Sequence, residues 1–210
     1  MAEPTSPSRA LVISGGGCKG AWGVGVAKAL SLDKGNHYQL VVGTSTGSLM
    51  APLVALRNFD KLATAYTSVT QDDIFSVNPF NSDGSIKYLK VGWRLIKGAK
   101  TVGESENMLK TIRRFFTSDD YDSIKKQGLE FAAAVTCLTD SKIYFQSTND
   151  FGYDDMVDWA WASANTPMFM STLEKNGKAW VDGGLRAYLP LTYAVDKGAE
   201  VIDVIVHNHP

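Results

Sequence analysis

The hydrophobic positions in the first 57 residues form a pattern that occurs twice. Apolar runs at residues 10–14 and 38–42 are short and end at glycine, which predicts buried parallel strands. After each run, apolar residues recur at helical spacing, which predicts helices from residue 18 to about 32 and over 46–57. Pro52 is expected near the first turns of the second helix, where proline is tolerated. A repeated strand, glycine turn and helix are typical of an α/β domain with a largely parallel sheet.

The rest of the chain extends the same kind of domain. Residues 58–125 are helical in tendency, and we interpret them as a helical insertion over the sheet. The later segments are strands at 129–138 and 142–147, a helix at 154–163, and strands at 179–181 and 201–206. No repeat or linker divides the chain, so we expect one domain over 10–210 after a flexible N-terminus at 1–9. Because a strand lies so close to Pro210, the natural chain is expected to continue beyond it.

Composition and charge narrow the possible function classes. The 210 residues are 44% hydrophobic and 20% charged, as in ordinary globular proteins. A net charge of -1 and the apparent lack of a Lys/Arg cluster argue against a nucleic-acid partner. Cys18 and Cys137 cannot form a disulfide framework, and the N-terminus does not have the pattern of a secretory signal. We therefore expect a cytoplasmic protein that would reach any lipid from the membrane surface, since no apolar run is long enough to span a bilayer.

The segment Gly43-Thr44-Ser45-Thr46-Gly47 matches the Gly-x-Ser-x-Gly pattern of a nucleophile elbow. It lies between a predicted strand and a predicted helix, where a sharp turn projects the serine hydroxyl above the carboxyl edge of the sheet. Glycines two residues to either side allow neighbouring backbone to pass without a Cβ clash. Ser45 is therefore the candidate nucleophile. The alternative is a glycine-rich βα turn in which the serine is incidental.

The loop Ser14-Gly15-Gly16-Gly17-Cys18-Lys19-Gly20 has two functional interpretations. Three of its glycines fit the dinucleotide fingerprint, but the next strand ends in the serine elbow and not in the acidic residue that would hold a ribose. The second interpretation is an oxyanion hole, because consecutive glycines at a helix N-terminus expose backbone amides to an anion. The amides concerned are those of Gly16, Gly17 and Cys18. Adjacent parallel strands would bring them beside Ser45.

A serine nucleophile needs a base, and the chain has three histidines. His37 precedes the second strand, at the end of the sheet opposite the elbow. His207 and His209 follow the last strand, so topology leaves a triad open. Asp182 is the stronger candidate, since it follows a short strand at the carboxyl edge and precedes two glycines that allow a tight turn. Partial burial would raise its pKa and make it a better base.

Together and in this order, the glycine loop, the serine elbow and Asp182-Gly183-Gly184 resemble the motifs of the patatin-like phospholipase family. The segment Ala162-Ser163-Ala164-Asn165-Thr166-Pro167 is similar to the family's Ala-Ser-x-x-x-Pro segment. The resemblance runs from about residue 10 to 190, and it is weak over 58–125. Lys19 stands where the family often has arginine. The resemblance implies an α/β fold, a three-layer α/β/α sandwich with a mainly parallel central sheet.

The resemblance also implies a mechanism and a substrate class. Ser45 would be the nucleophile, activated by Asp182 without a histidine. The amides of Gly16 and Gly17 would form the oxyanion hole. The implied activity is calcium-independent hydrolysis of acyl esters in phospholipids or related lipids, with no cofactor or metal. Such a substrate implies transient contact with a membrane surface.

Three other functions stay open from the sequence. An acyltransferase would use the same acyl-enzyme, and a nucleotide- or lipid-binding module would keep the glycine loops without catalysis. An α/β-hydrolase with a true triad is disfavoured, because only two strands precede Ser45. Aromatic residues of the insertion could line an acyl channel, although core packing is their commoner role. These residues are Phe75, Phe80, Trp93, Phe115 and Phe116.

Overall fold

Seven strands form one sheet in the computed structural model, which describes residues 7–81 and 83–207. Four strands are mutually parallel, in the order β3, β2, β1, β7. Their bounds are β1 Arg9–Ile13, β2 Leu40–Thr44, β3 Glu130–Cys137 and β7 Val201–Ile205. Each overlaps a predicted strand. β1, β2 and β3 are almost fully buried, as is typical of apolar runs in a parallel sheet, whereas β7 is partly exposed. The expected flexible N-terminus falls largely on residues 1–6, which lie outside the described residues.

Three further strands extend the sheet at β3 through antiparallel pairing. They are β4 Lys142–Ser147, β5 Leu173–Lys175 and β6 Lys178–Asp182. In β3, residues 130–134 pair with β2, residues 135–137 pair with β6, and residues 132–137 pair with β4. Because a strand has two edges, β4 lies along one edge of β3, and β2 and β6 follow one another along the other edge. Thr44 pairs with Ala134 on that edge, and Asp182 pairs with Val135, the next residue of β3. The carboxyl ends of β2 and β6 therefore meet end to end.

Helices cover one face of the sheet and enclose the main core. The principal ones are α1 Gly20–Lys28, α2 Thr46–Ala55 and α8 Tyr153–Ser163, and a π-helical turn over Ala29–Asp33 extends α1. Leu11, Met50 and Trp159 are among the fully buried side chains between these helices and the sheet. The expectation that Pro52 lies near the first turns of α2 is wrong, because it lies in the second half of that helix.

The opposite face is covered by the short helix α9, Leu191–Asp196. Ala194 packs against the sheet residues Ala10, Val12, Leu40, Val42 and Ala132. The Tyr193 hydroxyl donates to Glu130 Oε1 at 2.5 Å, and Lys197 Nζ lies 2.9 Å from the same oxygen, which anchors the helix to β3. Helices thus lie on both faces, which confirms the predicted three-layer α/β/α sandwich. Neither α9 nor β5 was predicted from the sequence, because both are too short to show a period.

Residues 58–125 are helical, as predicted. They contain α3 Phe59–Ser68, α4 Gln71–Ile74, α5 Tyr88–Ile96, α6 Glu106–Phe115 and α7 Ser118–Lys126. Met108, Ile112 and Phe116 bury their side chains in the main core, which attaches this segment to the sheet layer. Trp93 was considered for a channel or the core and belongs to neither, because it is 64% exposed. Within the described ranges, no helix is long and apolar enough to cross a membrane.

Candidate functional site

Ser45 lies at the sharp turn between β2 and α2. Its φ of 55° and ψ of -125° are strained for a residue with a side chain. A Cβ atom at Gly43 would clash with the backbone of Gly47, and one at Gly47 would clash with the Ile13 carbonyl. The two flanking glycines are therefore required by close backbone contacts, and the turn has the strand–elbow–helix context expected for Gly-x-Ser-x-Gly.

Asp182 ends β6 directly opposite this turn, and Asp182 and Ser45 line the same cavity. The Gly184 amide donates to Asp182 Oδ1 at 2.7 Å. A Cβ atom at Gly183 would clash with the Ala134 carbonyl, so the turn after Asp182 also needs glycine. Only 7% of Asp182 is exposed. Burial raises the pKa of its carboxyl, against the opposing effect of the hydrogen bonds from Gly184 and Ser45.

The glycine loop lies beside the elbow, held by a hydrogen bond of 3.0 Å from the Gly15 amide to the Tyr188 carbonyl. A Cβ atom at Gly15 would be 3.5 Å from Ser45 Cβ, which measures how closely the loop approaches. A 3-10 helix over Gly17–Lys19 follows, and its first hydrogen bond runs from the Lys19 amide to the Gly16 carbonyl at 3.1 Å. Amides that precede this bond have no partner within the helix, so they can serve an external acceptor.

One cavity of about 250 Å³ joins these elements. Its lining residues are Gly15, Gly16, Gly17, Ser45, Thr166, Pro167, Asp182, Gly184, Leu185 and Tyr188. Cys18 is outside this lining and is exposed to solvent. The five aromatic residues considered for an acyl channel are also absent from it. The Tyr188 hydroxyl oxygen is buried and has no hydrogen-bond partner in the part of the chain that the structure describes.

A family model described as patatin-like phospholipase matches residues 11–195. The chain belongs to the patatin-like phospholipase family. Its fold is similar to that in the crystal structure of VipD from Legionella pneumophila, with a TM-score of 0.56 and 12% sequence identity. The match covers 86% of this chain and 46% of VipD, so the chain spans a little under half the length of that protein. No curated protein matches the chain.

The family segment from Ala162 to Pro167 supports both halves of the site. The Ser45 amide donates to Ser163 Oγ at 3.0 Å, and the Ser163 hydroxyl donates to the Ala134 carbonyl at 2.6 Å. The Asp182 amide donates to the Asn165 carbonyl at 3.0 Å. No role of Ser163 or Asn165 was predicted from the sequence, where the available signal was their place in the family's Ala-Ser-x-x-x-Pro segment.

The histidines occupy different places. His37 is exposed, and its Nε2 lies 2.7 Å from Arg57 Nη1. His207 is buried beneath the glycine loop, with Nδ1 3.0 Å from the Ser14 carbonyl and 3.2 Å from the Gly15 carbonyl. Burial lowers the pKa of this imidazole, so the neutral ring is favoured. Its hydrogen bonds are to the loop and not to Ser45. His209 lies outside the described residues.

The described residues contain no cluster of three or more His, Cys, Asp or Glu side chains that could hold a metal ion. The polar groups that converge on the cavity are the Ser45 hydroxyl, the Asp182 carboxyl and the backbone of the glycine loop. Together they offer a nucleophile, a base and hydrogen-bond donors, which are the groups that acyl transfer requires.

Burial of the Asp182 charge should reduce the stability of the fold. Because its pKa is raised on folding, the unfavourable contribution is present at neutral pH and disappears as the pH falls through the folded-state pKa. We expect Asp182→Asn to raise the free energy of unfolding at neutral pH, since an amide can keep contacts to Gly184 and Ser45 without a charge. The gain should shrink towards about pH 4, near the ordinary pKa of aspartate.

Urea unfolding at both pH values measures this difference. The matched control is Asp150→Asn, which changes an exposed aspartate and should leave the stability nearly unchanged at both. An Asp182→Asn protein less stable than wild type at neutral pH would contradict the interpretation that the buried charge is costly.

Proposed function

We propose that this protein is a serine acyl hydrolase that cleaves acyl ester bonds of phospholipids or related lipids through a Ser45–Asp182 dyad. The observation that carries the proposal is that the strained Ser45 and the buried Asp182 carboxyl line one cavity together with the glycine loop. Membership of the patatin-like phospholipase family supports a lipid acyl ester as the substrate. We further propose that residues 10–210 act as one catalytic domain in which 58–125 is a helical insertion.

In the proposed reaction, Ser45 Oγ attacks the ester carbonyl while Asp182 takes the hydroxyl proton. A raised pKa makes this carboxylate a stronger base than an exposed aspartate. Asp182 then gives the proton to the leaving alcohol, and an acyl-enzyme remains on Ser45. In the second half, Asp182 removes a proton from the water that attacks the acyl group. It then gives this proton to Ser45 Oγ as the acyl–oxygen bond breaks, which releases the fatty acid and restores the serine hydroxyl.

The negative charge of the tetrahedral intermediate needs donors that are already in place. We assign this role to the amides of Gly16 and Gly17, which border the cavity, and to that of Cys18 at the start of the same 3-10 helix. One such donor is typically worth about a hundredfold to a thousandfold in rate. Because backbone amides carry this charge, the proposed reaction is independent of calcium, and chelators should leave the activity unchanged.

The nucleophile assignment predicts that Ser45→Ala abolishes both p-nitrophenyl ester hydrolysis and labelling by a fluorophosphonate probe. The reason is that no other side chain in the cavity combines a hydroxyl with a neighbouring base. Ser68→Ala is the matched control, because it removes an exposed serine hydroxyl at the end of α3, outside the cavity lining. Labelling that persists in Ser45→Ala would remove Ser45 from the role.

Ser163 predicts a second, graded effect. Ser163→Ala would leave the Ser45 amide and the Ala134 carbonyl without their buried partner, at a cost of about 1–3 kcal/mol of stability. We expect kcat to fall about tenfold or more, while KM changes little, because the strained elbow loses its fixed position. Ser45 should still be labelled, but more slowly. A loss of stability with unchanged kcat would limit Ser163 to a structural role.

His207 predicts an effect on the glycine loop. Its Nδ1 lies between two loop carbonyls, and a Cβ atom at Gly16 would clash with its side chain. His207→Ala should lower kcat by about tenfold with little change in KM, because the loop amides lose their support. His207→Asn keeps an amide donor near the position of Nδ1 and should recover part of the loss. Equal impairment of both variants would show that ring packing, and not this hydrogen bond, is what matters.

A further inference from the structure

Residues 84–103 carry five basic residues and no aspartate or glutamate, in a chain whose net charge is -1. They are Lys87, Lys90, Arg94, Lys97 and Lys100. The expectation that the chain contains no Lys/Arg cluster is therefore wrong for this segment. A net charge for the whole chain conceals it, because the acidic residues that balance these cations lie elsewhere.

The helix in this segment, α5, exposes most of its apolar side chains to solvent. Leu89 is 87% exposed, Ile96 80% and Trp93 64%, whereas Val91 is the buried residue of the helix. Leu89, Trp93 and Ile96 are spaced by four and three residues, which places them on one face. Tyr88, 75% exposed, lies beside that face. We call the surface formed by these four residues the α5 surface.

Lysines lie along the edge of the α5 surface. Lys90 and Lys97 are one heptad apart, which places them on the same flank of the helix, and both are exposed. Lys97 Nζ lies 5.6 Å from the centre of the Trp93 ring. The remaining helical cation, Arg94, turns the other way and forms an ion pair of 2.6 Å with Glu104. An exposed apolar face with Trp and Tyr and flanking lysines is the pattern of helices that lie in a membrane interface.

The segment that carries α5 is attached to the rim of the catalytic cavity. The Val102 amide donates to the Met168 carbonyl at 2.7 Å, and the Phe80 and Phe169 rings stack with centres 6.2 Å apart. Met168 directly follows Pro167, which lines the cavity, and it is 72% exposed. If the protein binds another surface through α5, the loop that contains Pro167 and Met168, at the rim of the cavity, would therefore be held near that surface.

We propose that the α5 surface docks the protein on anionic phospholipid bilayers, with the apolar residues inserted at the interface and the lysines facing lipid phosphates. Charge complementarity selects this occupant: a strip with only positive charge favours an anionic surface, and exposed Leu, Ile and Trp side chains gain from contact with lipid tails. The idea that docking brings the protein to its substrate rests on the proposed function. Binding of the protein to the bilayer does not, and it can be measured without catalysis.

The test uses the full chain carrying Ser45→Ala, so that no lipid is cleaved during the measurement. Sedimentation with vesicles of phosphatidylcholine mixed with phosphatidylserine should show binding that weakens with added salt, and vesicles of phosphatidylcholine alone should bind much less. Leu89→Ser with Ile96→Ser, and separately Lys90→Glu with Lys97→Glu, should each lower the partition coefficient about tenfold or more. All four residues are exposed, so the fold should tolerate these changes.

Matched controls change the same residue types elsewhere. Leu138→Ser with Val195→Ser removes exposed apolar side chains, and Lys28→Glu with Lys34→Glu reverses exposed charges. Both controls should bind vesicles like the parent. Equal binding by parent and α5 variants, or no binding by the parent, would overturn the proposal. Sedimentation velocity tests whether the surface instead joins copies of the chain. The proposal would also be overturned if the parent self-associates, and if Leu89→Ser with Ile96→Ser abolishes this self-association but leaves vesicle binding unchanged.

A second readout separates docking from catalysis. With Ser45 intact, the α5 variants should hydrolyse a soluble p-nitrophenyl ester at the wild-type rate, and their hydrolysis of vesicle lipids should fall with their binding. Vesicle binding by a wild-type protein that hydrolyses neither ester would overturn the proposed function and leave the docking surface in place. Normal hydrolysis of soluble ester without vesicle binding would overturn the docking surface alone.

Discussion

The site depends on the close approach of three backbone segments to Ala134 in the middle of β3. Thr44 pairs with it at the end of β2, Gly183 packs against its carbonyl without room for a Cβ atom, and the Ser163 hydroxyl bonds to the same carbonyl. These contacts bring together parts of the chain that are more than 130 residues apart in sequence. The position of Ser45 relative to Asp182 is therefore set by backbone packing, which varies far less than the rotamer of a long side chain.

This arrangement includes two features that oppose folding. Ser45 has a backbone conformation that a residue with a side chain rarely adopts, and Asp182 carries its charge where water is largely excluded. The strained backbone typically costs about 1–3 kcal/mol, against a net stability of about 5–15 kcal/mol for a whole domain, and removing the Asp182 charge from water adds a further cost. The surrounding core offsets them, because the strands and α2 beneath the site are almost fully buried. In the proposed reaction, strain at the elbow and desolvation of the carboxyl also make the pair reactive, so stability and the proposed reactivity are opposed at the same atoms.

The sequence predicted those features that require a particular residue at a particular spacing. The turns at Gly43, Gly47 and Gly183 could be predicted, because close backbone contacts at these positions leave no room for a side chain. The antiparallel direction of β6 could not be predicted, because strand composition does not encode direction, and the short α9 shows no period. The bonds of Ser163 were missed for another reason: a buried serine inside a helix has the same local pattern whether or not it supports a distant turn.

Motifs indicate the candidate catalytic site and give no sign of the α5 surface, because the two proposed roles constrain the residues of the chain in different ways. Acyl transfer needs atoms fixed to within a fraction of an ångström, so few residue types are suitable, and a recognisable spacing results. Attraction to a bilayer depends on the sum of exposed apolar area and charge, which many arrangements of Leu, Trp and Lys supply equally well. The segment least similar to the family pattern, residues 58–125, is accordingly where such a surface can form without disturbing the site. The proposed chemistry at Ser45 and the proposed contact with lipid thus impose constraints of different kinds on the chain, and sequence motifs record only the first.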